Sequence, residues 1–115
     1  KRALTLYATA EIAGDRAAWL VLWPRTGRTH QLRVHCAEAL ETPIVGDGKY
    51  GAAKARLQGD GISGKLHLHA RSIELPHPSG EGMLKVKADL PEHMRKTWSF
   101  FGFDADARID PFPRD

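Results

Sequence analysis

The sequence predicts an α+β fold. Three observations carry that prediction: apolar residues alternate with period two along the first stretch and again after Met83, the period lengthens to that of a helix just after Gly27, and a second helical pattern follows Pro91. Mostly antiparallel strands are expected, with one helix after the second strand and another closing the C-terminal end.

The elements follow in order. Residues Ala3 to Ile12 place Leu4, Leu6, Ala8, Ala10 and Ile12 on one face and Thr5, Tyr7, Thr9 and Glu11 on the other, so Tyr7 reads as a sheet residue. Ala13-Gly14-Asp15-Arg16 closes a hairpin into Ala17 to Trp23, an apolar run rich in β-formers that reads as a strand buried on both faces. Pro24 weakens the ladder and Thr26-Gly27 supplies a turn. From Thr29, an expected N-cap, Leu32, Cys36 and Leu40 recur at helical spacing, and the helix ends near Leu40 because Pro43 biases Thr42 away from helical geometry.

Ile44-Val45 is a short buried piece leading into the Gly46 to Gly51 turn, where Asp47 reads as a turn former between two glycines. The Gly-Lys-Ser/Thr ending of a Walker loop is absent. Ala52 to Gln58 fits one or two helical turns, and Gly59 to Gly64 a flexible loop. Leu66 to Leu75 is expected as a strand with His67, His69 and Arg71 on one face, and Met83 to Ala88 as its antiparallel successor after the His77-Pro78-Ser79-Gly80 turn. Pro91 opens the last helix, whose Met94, Trp98 and Phe101 form a stripe that reads as core packing. Asp104 to Asp115, rich in Asp, Pro and Arg, is expected to be poorly ordered, which confines the folded unit to residues 1–103.

At 115 residues and 12.7 kDa the chain makes one domain at most. Its net charge of +3 and pI near 9.3 are compatible with a polyanionic partner without identifying one. No apolar run is long enough to span a bilayer and no signal-peptide pattern is present, so no membrane partner is expected. A single cysteine, Cys36, excludes an internal disulfide and points to a reducing cytoplasm; on the same stripe as Leu32 and Leu40, it reads as a small hydrophobe. His67 and His69 alternate as metal ligands on a strand would, but no third ligand converges by spacing, so no metal is expected.

The chemistry concentrates between Pro24 and His35, where Arg25, Arg28 and Arg33 flank a strand-to-helix turn together with His30 and His35. A helix opening after a glycine turn presents free N–H groups and a positive dipole end, which favour a phosphate or carboxylate. Arg33, one turn into the helix beside Leu32 and Val34, is expected to be half covered and therefore to need an anionic partner.

These residues carry a resemblance. Thr26-Gly27-Arg28-Thr29-His30-Gln31-Leu32-Arg33-Val34-His35 resembles the signature of the RluA-type pseudouridine synthases, which isomerise uridine to pseudouridine in ribosomal and transfer RNA. Pro43-Ile44-Val45-Gly46-Asp47 with Tyr50-Gly51, Leu66-His67-Leu68-His69-Ala70, and His77-Pro78 follow in the family's order. The resemblance implies half of a mixed sheet whose cleft holds RNA, and a reaction that uses neither cofactor nor metal. It assigns Arg33 as partner of the catalytic aspartate, and makes Arg25, Arg28, Thr29, His30, Gln31 and Lys49 expected RNA contacts.

The family's Arg-Leu-Asp segment, which bears that aspartate, does not occur in these residues. Together with a start at Lys1, this leads us to expect the C-terminal part of a catalytic domain, inactive alone, acting within its parent on ribosomal rather than transfer RNA and prone to self-association through an exposed edge. The contrasting expectation is a basic module that binds RNA without chemistry.

Overall fold

The computed structural model describes residues 2–113; Lys1 and the last two residues of the expected tail, Arg114 and Asp115, lie outside them. The fold is α+β, with two separate two-stranded antiparallel sheets. Strand β1, Thr5–Ala13, pairs with β2, Ala17–Pro24, in a register that sets Tyr7 opposite Leu22 and Thr9 opposite Leu20. The register then slips, and Glu11 faces Trp19. This bulge interrupts the expected alternation, since the extra residue locally disrupts the ladder and bends the strand. Beyond it, Ile12 is 67% exposed.

Strand β2 is half-buried rather than covered on both faces, with Ala18 exposed. A two-stranded sheet has too few neighbours to enclose both sides. Its covered face meets the C-terminal helix: the Trp19 ring lies 5.4 Å from Trp98, edge-on, and 5.7 Å from Phe103.

Helix α1 spans Gln31–Val34 and widens into a π turn over His35–Ala39, where the Leu40 N–H donates to the His35 carbonyl at 3.0 Å. It starts later than expected. Thr29 is exposed and does not cap it; the cap residue is His30, in the left-handed region at φ 50° with no side-chain cap bond. Cys36 is 2% exposed, and burial pushes its thiol pKa up, so it packs as the sequence predicts.

The chain from Pro43 to Arg71 is mostly irregular and tied by single backbone bonds. Gly46 N–H donates to Ala55 O at 2.9 Å, and His67 N–H to Val45 O at 2.8 Å. One 3₁₀ turn, Ala52–Ala55, stands where one or two helical turns are expected. The expected Leu66 to Leu75 strand begins only at β3, Ser72–Pro76, which pairs with β4, Met83–Lys87; residues 66–71 belong to no strand, although the Arg71 carbonyl accepts from the Ala88 N–H at 2.8 Å.

Helix α2, Glu92–Phe101, begins after Pro91 and ends at Gly102, whose φ of 77° supports the left-handed cap; Phe103 N–H then bonds the Trp98 carbonyl at 2.8 Å. Its inner face holds Met94, Thr97 and Trp98, and Phe101 stacks toward Phe103 at 5.6 Å. Residues 104–113, expected to lie loose, fold back: Asp106 pairs with Arg95 at 3.1 Å, and Phe112 lies 5.7 Å from the Trp23 ring.

No helix among the described residues is long and apolar enough to cross a membrane. Met94, 4% exposed at the centre of the core, sets the scale of packing. Met94→Ala is expected to lower the unfolding free energy by about 2–5 kcal/mol, read from urea denaturation.

Candidate functional site: an arginine over a buried carboxylate

The arginine-rich corner is assembled by an internal clasp. Gln31, 6% exposed, lies beneath the turn between β2 and α1. Its Oε1 accepts from the Thr26 hydroxyl at 2.6 Å and from the Arg28 N–H at 3.1 Å, while its Nε2 donates to the Leu4 carbonyl and the Thr5 hydroxyl, each at 2.9 Å. Thr5 Oγ1 is also 2.8 Å from His35 Nδ1. One amide therefore joins the start of β1, the turn and the first residue of α1.

The donors and the acceptor of the Gln31 amide are thus engaged inside the chain. The Arg28 and Gln31 N–H groups are also bonded internally, so the helix start is less open than expected.

On the outer side of α1, Arg33 meets Asp47 in a two-pronged pair. Arg33 Nε donates to Asp47 Oδ2 at 3.1 Å and Nη2 to Oδ1 at 2.8 Å. The Asp47 side chain is fully buried, with 0% exposure, whereas Arg33 keeps 21%. An anionic partner for Arg33 is thus present within this chain, and Asp47 is more than a turn former. It still makes the turn: the Gly51 N–H donates to its carbonyl at 2.9 Å and the Tyr50 N–H to Oδ1 at 3.2 Å. A buried carboxylate needs charge and donors together, and this one receives both.

Tyr50 completes the cluster. Its ring lies under the Arg33 guanidinium at 5.2 Å and near Lys49 Nζ at 5.4 Å, and its hydroxyl is 2.9 Å from His30 Nδ1. A tyrosine face attracts cations, and here it gathers two. Arg33, Asp47, Lys49, Tyr50 and His30 are brought together. Arg25 and Arg28 have other partners: Arg25 lies 4.4 Å over the Trp23 ring, and Arg28 Nε reaches the Arg2 carbonyl at 3.3 Å. Both remain exposed, as do Thr29, His30 and Lys49.

Sequence reasoning missed the Asp47 and Tyr50 roles in this cluster. The available signal was the Gly46-Asp47-Gly48-Lys49-Tyr50 run, whose composition resembles any polar turn.

The paired histidines serve structure. His67 Nε2 is 2.8 Å from Thr97 Oγ1 and its Nδ1 2.7 Å from the Lys65 carbonyl, while His69 Nε2 is 3.0 Å from the Ala88 carbonyl. Burial holds the His67 pKa below the ordinary imidazole value. Among the described residues, no three His, Cys, Asp or Glu side chains gather as a metal would require.

No protein-family model matches the chain. Relatives do. RNA pseudouridine synthase 4, mitochondrial, of Arabidopsis thaliana is 39% identical over a 140-residue alignment that covers 86% of this chain and 29% of the relative. The dual-specificity RNA pseudouridine synthase RluA of Escherichia coli (strain K12) is 42% identical over 88 residues, 76% of this chain and 38% of that protein. The chain belongs to the RluA-type pseudouridine synthase family. RNA pseudouridine synthase 3, mitochondrial, of Oryza sativa subsp. japonica adds a shorter match, 57% identical over 51 residues and 44% of this chain. This RluA-type chain spans about a third of the length of the first two relatives, 29% and 38%.

Two outcomes test the site's construction. Gln31→Ala takes the acceptor away from the Thr26 hydroxyl and the Arg28 N–H, while the Leu4 carbonyl keeps the Arg25 N–H, and at up to about 1–3 kcal/mol per unsatisfied group it is expected to lower stability measurably in urea titration. The Arg33 guanidinium holds the Asp47 carboxyl below the ordinary carboxylate range, against the opposing effect of burial. The unfolded chain therefore takes up that proton first. The pair stabilises the fold above about pH 4 and is lost as pH falls through the lower folded value. Asp47→Asn is expected to flatten the acid limb of unfolding free energy plotted against pH.

Proposed function

We propose that this chain forms the arginine-bearing wall of the active site of an RNA pseudouridine synthase. The parent enzyme isomerises uridine to pseudouridine in structured RNA, with ribosomal RNA of the large subunit favoured over transfer RNA. It works in the cytoplasm and requires neither cofactor nor metal. The observation that carries this reading is Arg33 itself: it sits in the family's most specific motif, its position is set by the buried Asp47, and its side chain keeps 21% exposure.

Asp47 is unsuited to be the nucleophile. Fully enclosed and ion-paired, it has no path to a sugar or a base. The attacking aspartate belongs to the Arg-Leu-Asp segment that these residues lack, so the isolated chain is inactive. A guanidinium beside that carboxylate keeps it ionised and oriented. The target uridine leaves its stack to reach it; the base is released, turned and rejoined to the ribose through carbon.

Arg25, Arg28 and Lys49 are exposed cations that suit RNA phosphates, with Thr29 and His30 beside them. The exposed Ile73 and Val86, paired on one face of the β3–β4 hairpin, leave an apolar surface through which the isolated chain self-associates.

Arg33→Ala in the full-length protein is expected to reduce turnover on RNA by about 10²-fold or more, as removal of a preorganised charge does, while RNA affinity changes little. Arg25→Ala, Arg28→Ala and Lys49→Ala are expected to do the reverse: each weakens binding and lowers the slope of log affinity against log salt by about 1. Unchanged turnover in Arg33→Ala would refute the assignment.

A further inference from the structure

The Arg33–Asp47 pair is asymmetric in a way a simple ion pair need not be. Asp47 takes the Nε–Nη2 edge of the guanidinium with both of its oxygens, and Nη1 has no hydrogen-bond partner among the described residues. The carboxylate is itself held in place. Its backbone N–H donates to Ile44 O at 3.0 Å, its carbonyl accepts from Gly51 and Ala52 at 2.9 and 3.2 Å, and Oδ1 accepts from the Tyr50 N–H.

The Arg33 guanidinium carbon lies over the Tyr50 ring, 5.2 Å from its centre. His30, strained at φ 50°, secures that ring through its hydroxyl. A planar fork gripped along one edge and set over an aromatic ring loses rotations that a long arginine side chain otherwise keeps.

We propose that Asp47 is a positioning residue for the reaction: from its buried seat it grips the Nε–Nη2 edge of Arg33, so that Nη1 is the edge presented to the reacting carboxylate and nucleotide. The inference rests on the assignment of Arg33 to the active site and deepens it. Asp47 touches no substrate. It acts by removing conformers in which the guanidinium swings to solvent, so its loss lowers the rate of the chemical step more than it weakens RNA binding. Tyr50 and His30 belong to the same support.

The test is a mutant cycle in the full-length enzyme, with kcat, KM and RNA affinity measured on variants whose folding is checked by circular dichroism. Asp47→Asn keeps the shape and the acceptor for the Tyr50 N–H but removes the charge that grips Arg33; kcat is expected to fall at least about tenfold with KM and RNA affinity within about threefold. In an Arg33→Lys background, where the fork is already gone, Asp47→Asn is expected to cost little more.

A folded Asp47→Asn enzyme with kcat within twofold of the native value would overturn the proposal, as would losses that simply add. Loss of activity in Asp47→Asn together with full activity in Arg33→Ala would instead refute the site assignment beneath it. The native enzyme offers a measurement that needs no variant: in nitrogen-15 spectra the Arg33 Nε–H is expected as a single signal protected from exchange at neutral pH. An averaged, rapidly exchanging signal would overturn the proposal even if Asp47→Asn did not fold.

Discussion

A carboxylate without access to water sets the constraint on which this structure turns. Among the described residues Asp47 alone has a wholly enclosed side chain, and it is charged. Left alone, such a group would neutralise or unfold its surroundings. Arg33 prevents this with two donors and a charge, and the two residues come from segments with no shared secondary structure. Everything between them has to be arranged so that helix α1 and the glycine turn arrive at the same place.

Several departures from ideal local geometry have that arrangement as their reason. Gly46 runs at φ 84°, and a Cβ there would overlap the Lys65 carbonyl, so the turn closes onto the strand-like segment that follows only because glycine stands at that point. His30 and Ala52 also adopt positive φ, at 50° and 46°, on either side of the pair in the chain. Such backbone conformations cost energy and persist where surrounding contacts determine them, which is common at functional sites. The widened turn at His35–Ala39 belongs to the same pattern, since π turns cluster where a helix is shaped by function rather than by propensity. Beneath them, Gln31 holds β1 and the turn in one hydrogen-bonded unit and provides the fixed base on which Arg33 stands.

The regular elements were readable because their signals are local. Alternation marked β1 and β4, a run of apolar β-formers marked β2, the Gly14 turn marked the hairpin, and the Met94–Trp98 stripe marked the covered face of α2. Errors fell where pairing is decided at a distance. Leu66 to Arg71 has strand composition but meets no ladder, since its neighbour at Val45 offers one backbone bond. Ile12 is exposed beyond a bulge that alternation does not reveal. The segment after Gly102 has a composition typical of disorder, yet Asp106 and Phe112 find partners on α2 and β2.

The sequence by itself determined the family: a motif of ten residues, followed by three shorter ones in order, carries that likeness and marked Arg33 as a residue in need of an anion. Only the tertiary structure decided which anion it meets and which polar side chains are withdrawn from the surface. Asp47 and Gln31 both look like exposed turn or helix residues in one dimension. Burial is a property of what packs around a residue, and the groups that enclose them come from Leu4 to Thr5 in one case and from α1 in the other. Spacing along a chain reports neighbours within a turn of helix or a step of strand; it carries no record of contacts made across fourteen or twenty-seven residues, which is where this site is held together.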